Sequence, residues 1–186
     1  SLGVVQAICP GEVNWMTAGR GIAHSERTDE DQRPAGPRLY GIQAWVALPK
    51  AFEETDPGFS HHGAGDQPII EDTDKRVRVI AGSAWGETAQ VKTFSDMFYA
   101  DADLSTGAKL PIPTEYEERA LYIADGRISV NGDSFGSGQL LVLHPGDAIT
   151  VEAENKARVM VLGGEPMDGP RHIWWNFVSS SKDRIE

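Results

Sequence analysis

The chain is 186 residues long, enough for one large domain or two small ones with a real core. Lys and Arg number 17 against 28 Asp and Glu, a formal charge of −11, and no basic run occurs, which argues against nucleic acid as a direct ligand. The single Cys9 rules out an internal disulfide and points to a reducing compartment, the cytoplasm; the sequence predicts neither a membrane span nor a signal peptide.

The period is mostly two, which predicts short strands. Gly3-Val4-Val5-Gln6-Ala7-Ile8 reads as a first strand already under way, and Gly19-Arg20-Gly21 as a turn between strands, with no helix after it to make a phosphate loop. From about Phe52 to Glu71 periodicity gives way to Pro57, Gly58, Gly63, Gly65 and Pro68, which predicts a connecting loop and places a domain division there. Val77-Arg78-Val79-Ile80, Leu121-Tyr122-Ile123, Leu140-Leu141-Val142-Leu143, Ala148-Ile149-Thr150-Val151 and Arg158-Val159-Met160-Val161 read as further strands. Between them, Ile128-Ser129-Val130 runs into Asn131-Gly132, the pair that a type I′ hairpin turn demands. Many short strands with frequent turns indicate a sandwich or barrel. Trp174-Trp175 is expected to be buried by packing across the domain boundary, and Ser179 to Glu186 reads as a capped helix cut short, so that both chain ends are expected to be clipped.

One element occurs twice. Gly3 is followed by six residues and then Pro10-Gly11-Glu12; Gly138 is followed by six residues and then Pro145-Gly146-Asp147. The first copy continues to His24-Ser25-Glu26, where the second has Val159-Met160-Val161. One copy therefore carries candidate metal ligands and the other is blank.

The repeated Gly-x6-Pro-Gly-acid element resembles the second motif of the cupin superfamily. The run from Pro10 to Glu26, with Met16-Thr17-Ala18-Gly19-Arg20-Gly21-Ile22-Ala23-His24-Ser25-Glu26 at its end, resembles the pirin family, as do Gln43-Ala44-Trp45-Val46-Ala47-Leu48-Pro49 and Trp174-Trp175-Asn176-Phe177-Val178-Ser179-Ser180. The resemblance implies an all-β cupin jelly-roll bicupin, the first cupin incomplete and the second, about Asp72 to Gly164, complete. It sets residues 1–60 as the C-terminal part of the metal-type cupin with a connector, and 61–186 as the C-terminal cupin with a closing segment. It also implies one metal held by three His and one Glu. Two of those His lie on a His-x-His strand that the chain lacks, so His24 and Glu26 alone carry over as metal ligands, with Glu26 the candidate catalytic residue.

On a strand, His24 and Glu26 would share one face. An imidazole nitrogen with a carboxylate oxygen suits a divalent transition metal; iron is the first expectation, with manganese, nickel and copper also fitting. The family's flavonol 2,3-dioxygenase (quercetinase) activity implies a small aromatic flavonol-like substrate. The alternative is a metal-responsive, protein-binding regulator without catalysis. Open strand edges in an incomplete first cupin would favour a homodimer.

Other candidates read more plainly. The rings of adjacent His61 and His62 point to opposite sides of an extended chain, so one metal cannot take both. In the second cupin Ile112, Thr114, Val159 and Val161 stand at ligand positions, so a metal is not expected there. His144 and Cys9 occupy matching places before the repeated turn. Glu115, Glu117 and Glu118 read as a solvated strand entry.

Overall fold

A computed structural model of the chain describes residues 2–186. Those residues form fifteen strands and two short 3₁₀ turns, Arg33–Ala35 and Lys50–Phe52, with no α-helix among them. In chain order the strands are β1 (Val13–Thr17), β2 (Gly58–His62), β3 (Ile69–Glu71), β4 (Lys75–Ala84), β5 (Glu87–Thr88), β6 (Met97–Leu104), β7 (Lys109–Pro111) and β8 (Glu118–Asp125). They continue with β9 (Arg127–Val130), β10 (Asp133–Gly136), β11 (Leu140–Leu143), β12 (Thr150–Ala153), β13 (Ala157–Gly164), β14 (His172–Trp174) and β15 (Phe177–Ser179). The stretch expected to be a plain loop between Phe52 and Glu71 thus contains β2, which pairs with β1, and β3.

The chain divides into two compact units: one gathers the residues through Gln6, Met16–Phe59 and Asp168–Glu186, the other Ala7–Trp15 and Ser60–Met167. The sequence division at residue 60 expects two consecutive stretches; the observed units are interleaved. Within the first unit the cause is local. Arg171 ion-pairs with Glu53 at 2.8 Å and donates to the Leu48 carbonyl at 2.7 Å, while Ser180 donates its N–H and hydroxyl to the Glu53 carboxylate at 2.9 and 2.8 Å. Residues 168–186 are thereby bonded to the 48–54 stretch of their own unit.

The second unit is two antiparallel sheets around one core. A seven-stranded sheet runs β11-β8-β13-β6-β4-β3, with β5 beside β4, and a four-stranded sheet runs β10-β9-β12-β7. Alternate residues face inward, as a pleated strand requires: Val77 and Val79 on β4, Phe98, Ala100 and Ala102 on β6, Leu121 and Ile123 on β8, and Val159 and Val161 on β13. Register makes the layer dense. Ala100 lies between Val79 and Val161, and Ala102 between Val77 and Val159, so small side chains on β6 receive branched ones from both neighbours. Ile128 of β9 and Val151 of β12 close the core from the smaller sheet.

The hairpin between β9 and β10 turns at Asn131 and Gly132, with φ of 52° and 90°, as a type I′ turn demands. Gly132→Ala forces a side chain into the left-handed region, and its expected cost is about 1 kcal/mol, read as a lower urea midpoint with an unchanged m-value.

In the first unit β14 and β15 form a two-stranded hairpin around Trp175 and Asn176. Trp174 and Trp175 are 61% and 81% exposed, which corrects the expectation of burial: β14 and β15 pair with each other, and among the described residues no second layer of the unit covers them. The expected C-terminal helix is a single turn, held by the N–H groups of Ile185 and Glu186 on the Lys182 carbonyl.

Candidate metal centre and the repeated turn

The two copies of the Gly-x6-Pro-Gly-acid element share a backbone. Gly3 and Gly138 have φ of 71° and 83°; Gly11 and Gly146 have φ of 90° and 80°. The Glu12 N–H donates to the Cys9 carbonyl at 3.0 Å, and the Asp147 N–H to the His144 carbonyl at 3.4 Å. Pro followed by a positive-φ Gly, closed by that bond, is a type II turn.

An arginine holds each turn. Arg78 donates to the Gly11 carbonyl at 2.7 Å. Arg119, only 2% exposed, donates to the His144 and Asp147 carbonyls, both at 2.9 Å, and to the Pro113 carbonyl at 3.2 Å. These arginines carry no signature in the sequence beyond a charge inside an alternating strand.

Beyond the turns the copies diverge. In the second, β11 pairs with β8, and β13 pairs with both β6 and β8. In the first, the counterparts of β11 and β13 have no strand structure, and His24 and Glu26 are exposed on irregular backbone rather than on a strand. The reason is partnership. Among the described residues no strand bonds to the 22–29 stretch.

The second copy shows what this segment becomes when partnered. Val159 and Val161, at the places of His24 and Glu26, are fully buried on one face of β13 and point into the core. Ile112 is buried in the same core, while Thr114 is exposed. No donor there suits a transition metal.

The remaining candidates disperse. His61 donates through Nδ1 to Asn14 Oδ1 at 2.8 Å, and its Nε2 lies 4.0 Å from a Glu12 oxygen that accepts the Cys9 N–H at 2.6 Å. His62 bonds Ser60 Oγ through Nε2 at 3.0 Å, so the adjacent rings engage different partners. Glu115, Glu117 and Glu118 are exposed. Among the described residues no group of three or more His, Cys, Asp or Glu side chains converges to hold a metal ion. Two exposed donors leave the coordination shell unfilled, and the residues present do not by themselves fit a resident metal.

Two family models match the chain: Pirin over residues 1–46, and the Pirin C-terminal cupin domain over residues 99–186. The chain belongs to the pirin family. A pirin-like protein of Caulobacter vibrioides is 50% identical over 187 residues, which take in 100% of this chain and 64% of that one. Pirin-1 of Arabidopsis thaliana is 31% identical over 193 residues, 99% of this chain and 64% of its own. The crystal structure of a quercetin 2,3-dioxygenase from Acinetobacter baumannii superposes with a TM-score of 0.82 at 30% identity, covering 100% of this chain and 60% of that one. This pirin sequence thus spans less than two thirds of the length of each. Its class is all-β, and the matched C-terminal part is a cupin jelly roll, as the repeated turn implied. No helix among the described residues is long and apolar enough to cross a membrane.

Proposed function

We propose that the whole protein is a cytoplasmic metal-dependent dioxygenase of the quercetin 2,3-dioxygenase type, acting on a flavonol-like aromatic substrate. In this reading His24 and Glu26 supply two metal ligands, and Glu26 is the catalytic residue. The observation that carries it is the placement of Val159 and Val161. They follow the matching turn at the same offset and lie together on the inner face of a partnered strand. A first copy partnered in the same way would turn His24 and Glu26 inward, toward the two further His that the family resemblance implies. The likeness to the Acinetobacter enzyme supports the substrate class. When bound, iron, or manganese, nickel or copper in its place, would supply the centre for O₂ chemistry.

The test uses the whole protein, with metal content by mass spectrometry and oxygen consumption with quercetin. Near-stoichiometric metal and turnover are expected, both lost in His24→Ala. Turnover that survives His24→Ala sinks the assignment.

A second reading, a metal-responsive regulator that binds a protein partner without catalysis, is favoured by the exposed aromatic hairpin of Trp174, Trp175 and Phe177. It expects bound metal with no quercetin turnover.

A further inference from the structure

The second unit has an open cleft of about 330 Å³ that the metal reading leaves unused. Its base is formed by Ile112 and Ile149, both buried, with the Ile112 N–H bonded to the Ile149 carbonyl at 2.9 Å. Trp85 lines it. The indole Nε1–H donates to the Pro111 carbonyl at 2.8 Å, and the ring meets Phe98 edge to face, 5.9 Å between centroids at 80°. Those two contacts fix the ring, so a ligand resting on it does not have to order it first.

The remaining lining is polar in one sense only. Thr114 and Thr150 bring hydroxyls, and Glu115 is the single charged residue of the lining; the nearest cation, the buried Arg119 guanidinium, is spent behind the wall on the Pro113, His144 and Asp147 carbonyls. Glu115 is exposed, and neither a hydrogen bond nor an ion pair engages its carboxylate among the described residues. Tyr116, beside it, donates its hydroxyl to the Ser83 carbonyl at 2.8 Å. Burial raises the Tyr116 pKa above the usual phenol value, and the charges of Asp96, Glu115 and Glu165 raise it further, so three carboxylates act on this end of the unit.

A fixed indole on an apolar base, beside an unneutralised carboxylate, selects by charge. An anion meets Glu115 as a like charge. A neutral aromatic leaves that carboxylate without a partner. A cation gains both from the carboxylate and from the negative face of the ring. We infer that this cleft binds a small organic cation, an ammonium or guanidinium on a flat or aliphatic body, which rests on Trp85 and directs its charge to Glu115. The site is separate from the metal reading and stands whether or not that reading holds.

The probe is phenethylammonium, titrated into the ¹⁵N-labelled chain, with its neutral isostere 2-phenylethanol as the comparison. The Trp85 indole signal and the amides of 114, 115 and 148–150 are expected to shift together and saturate. The neutral isostere should bind about tenfold more weakly, and Glu115→Gln should weaken the ammonium by about threefold while leaving the alcohol unchanged, the remaining factor being the share of the ring. Glu115 is exposed, so an unchanged amide spectrum elsewhere verifies that the variant folds. Equal affinity for the two probes, indifference to Glu115→Gln, or no shift at these signals would each overturn the inference.

Discussion

Asp101→Asn is expected to destabilise the second unit by about 3–5 kcal/mol, toward the lower figure because one of its two partners is partly exposed. Asp101 is 4% exposed on β6. Its Oδ2 accepts from Arg78 Nη2 at 2.6 Å and from Arg158 Nη2 at 2.7 Å, and its Oδ1 accepts from Arg158 Nε at 2.8 Å. Asparagine removes the charge from between two guanidinium groups and turns an N–H donor toward other donors. Arg78 also holds the Gly11 carbonyl, so the variant loosens the first repeated turn together with the sheet. Burial, the largest single influence, raises the Asp101 pKa, but the hydrogen bonds and charges of Arg158 and Arg78 outweigh it and leave the group below its ordinary value of 3.8. A carboxyl depressed in the folded state contributes stability that is present above the unfolded value and is lost as pH falls through the folded one. Urea midpoints should therefore separate wild type from Asp101→Asn fully at pH 7, and the gap should narrow below the unfolded value. A loss under about 1 kcal/mol at neutral pH would show that the pair is no better than a surface ion pair.

What the sequence showed followed from rules that act over a few residues. The Asn131-Gly132 turn and the alternation on β4 and β8 each depend on local backbone preference, and both formed. Structure that depends on distant partners leaves no such local trace. His24 and Glu26 were expected on a strand, yet a strand needs a neighbour to take its N–H and C=O groups, and the 22–29 stretch has none among the described residues. The burial expected for Trp174 and Trp175 requires a covering layer, which no local pattern supplies. Arg78, Asp101 and Arg158 leave no trace as a framework because register brings them together: Arg78 sits opposite Asp101 only once β4 and β6 are aligned. Interleaving of the compact units has the same origin, since Arg171 and Ser180 lie far from Leu48 and Glu53 in the chain and meet them only in the fold.

The same dependence on partners sets the largest expected effect, on metal affinity. This chain should bind manganese or nickel at least about 100-fold more weakly than a chain that also carries the upstream His-x-His strand implied by the family resemblance, because each missing His removes a donor, and lost supporting contacts alone cost about 10–100-fold in affinity. His24 and Glu26 are exposed here, so no packing holds them in a shared orientation, and two donors must order the segment as they bind. Exposure also makes the test clean: His24→Ala should leave the unfolding midpoint of this chain within about 0.5 kcal/mol of wild type, so any change in metal binding reports on ligation and not on folding. Titration calorimetry on both chains, with and without His24→Ala, gives the comparison. The substitution should abolish tight binding in the longer chain and change little in the shorter. Light scattering run alongside reports whether a second copy pairs with the first repeat and adds ligands of its own, as an unpaired edge would favour. Near-stoichiometric metal retained by this chain after dialysis, lost on His24→Ala, would overturn the expectation, and a concentration-dependent dimer in the same sample would give the reason.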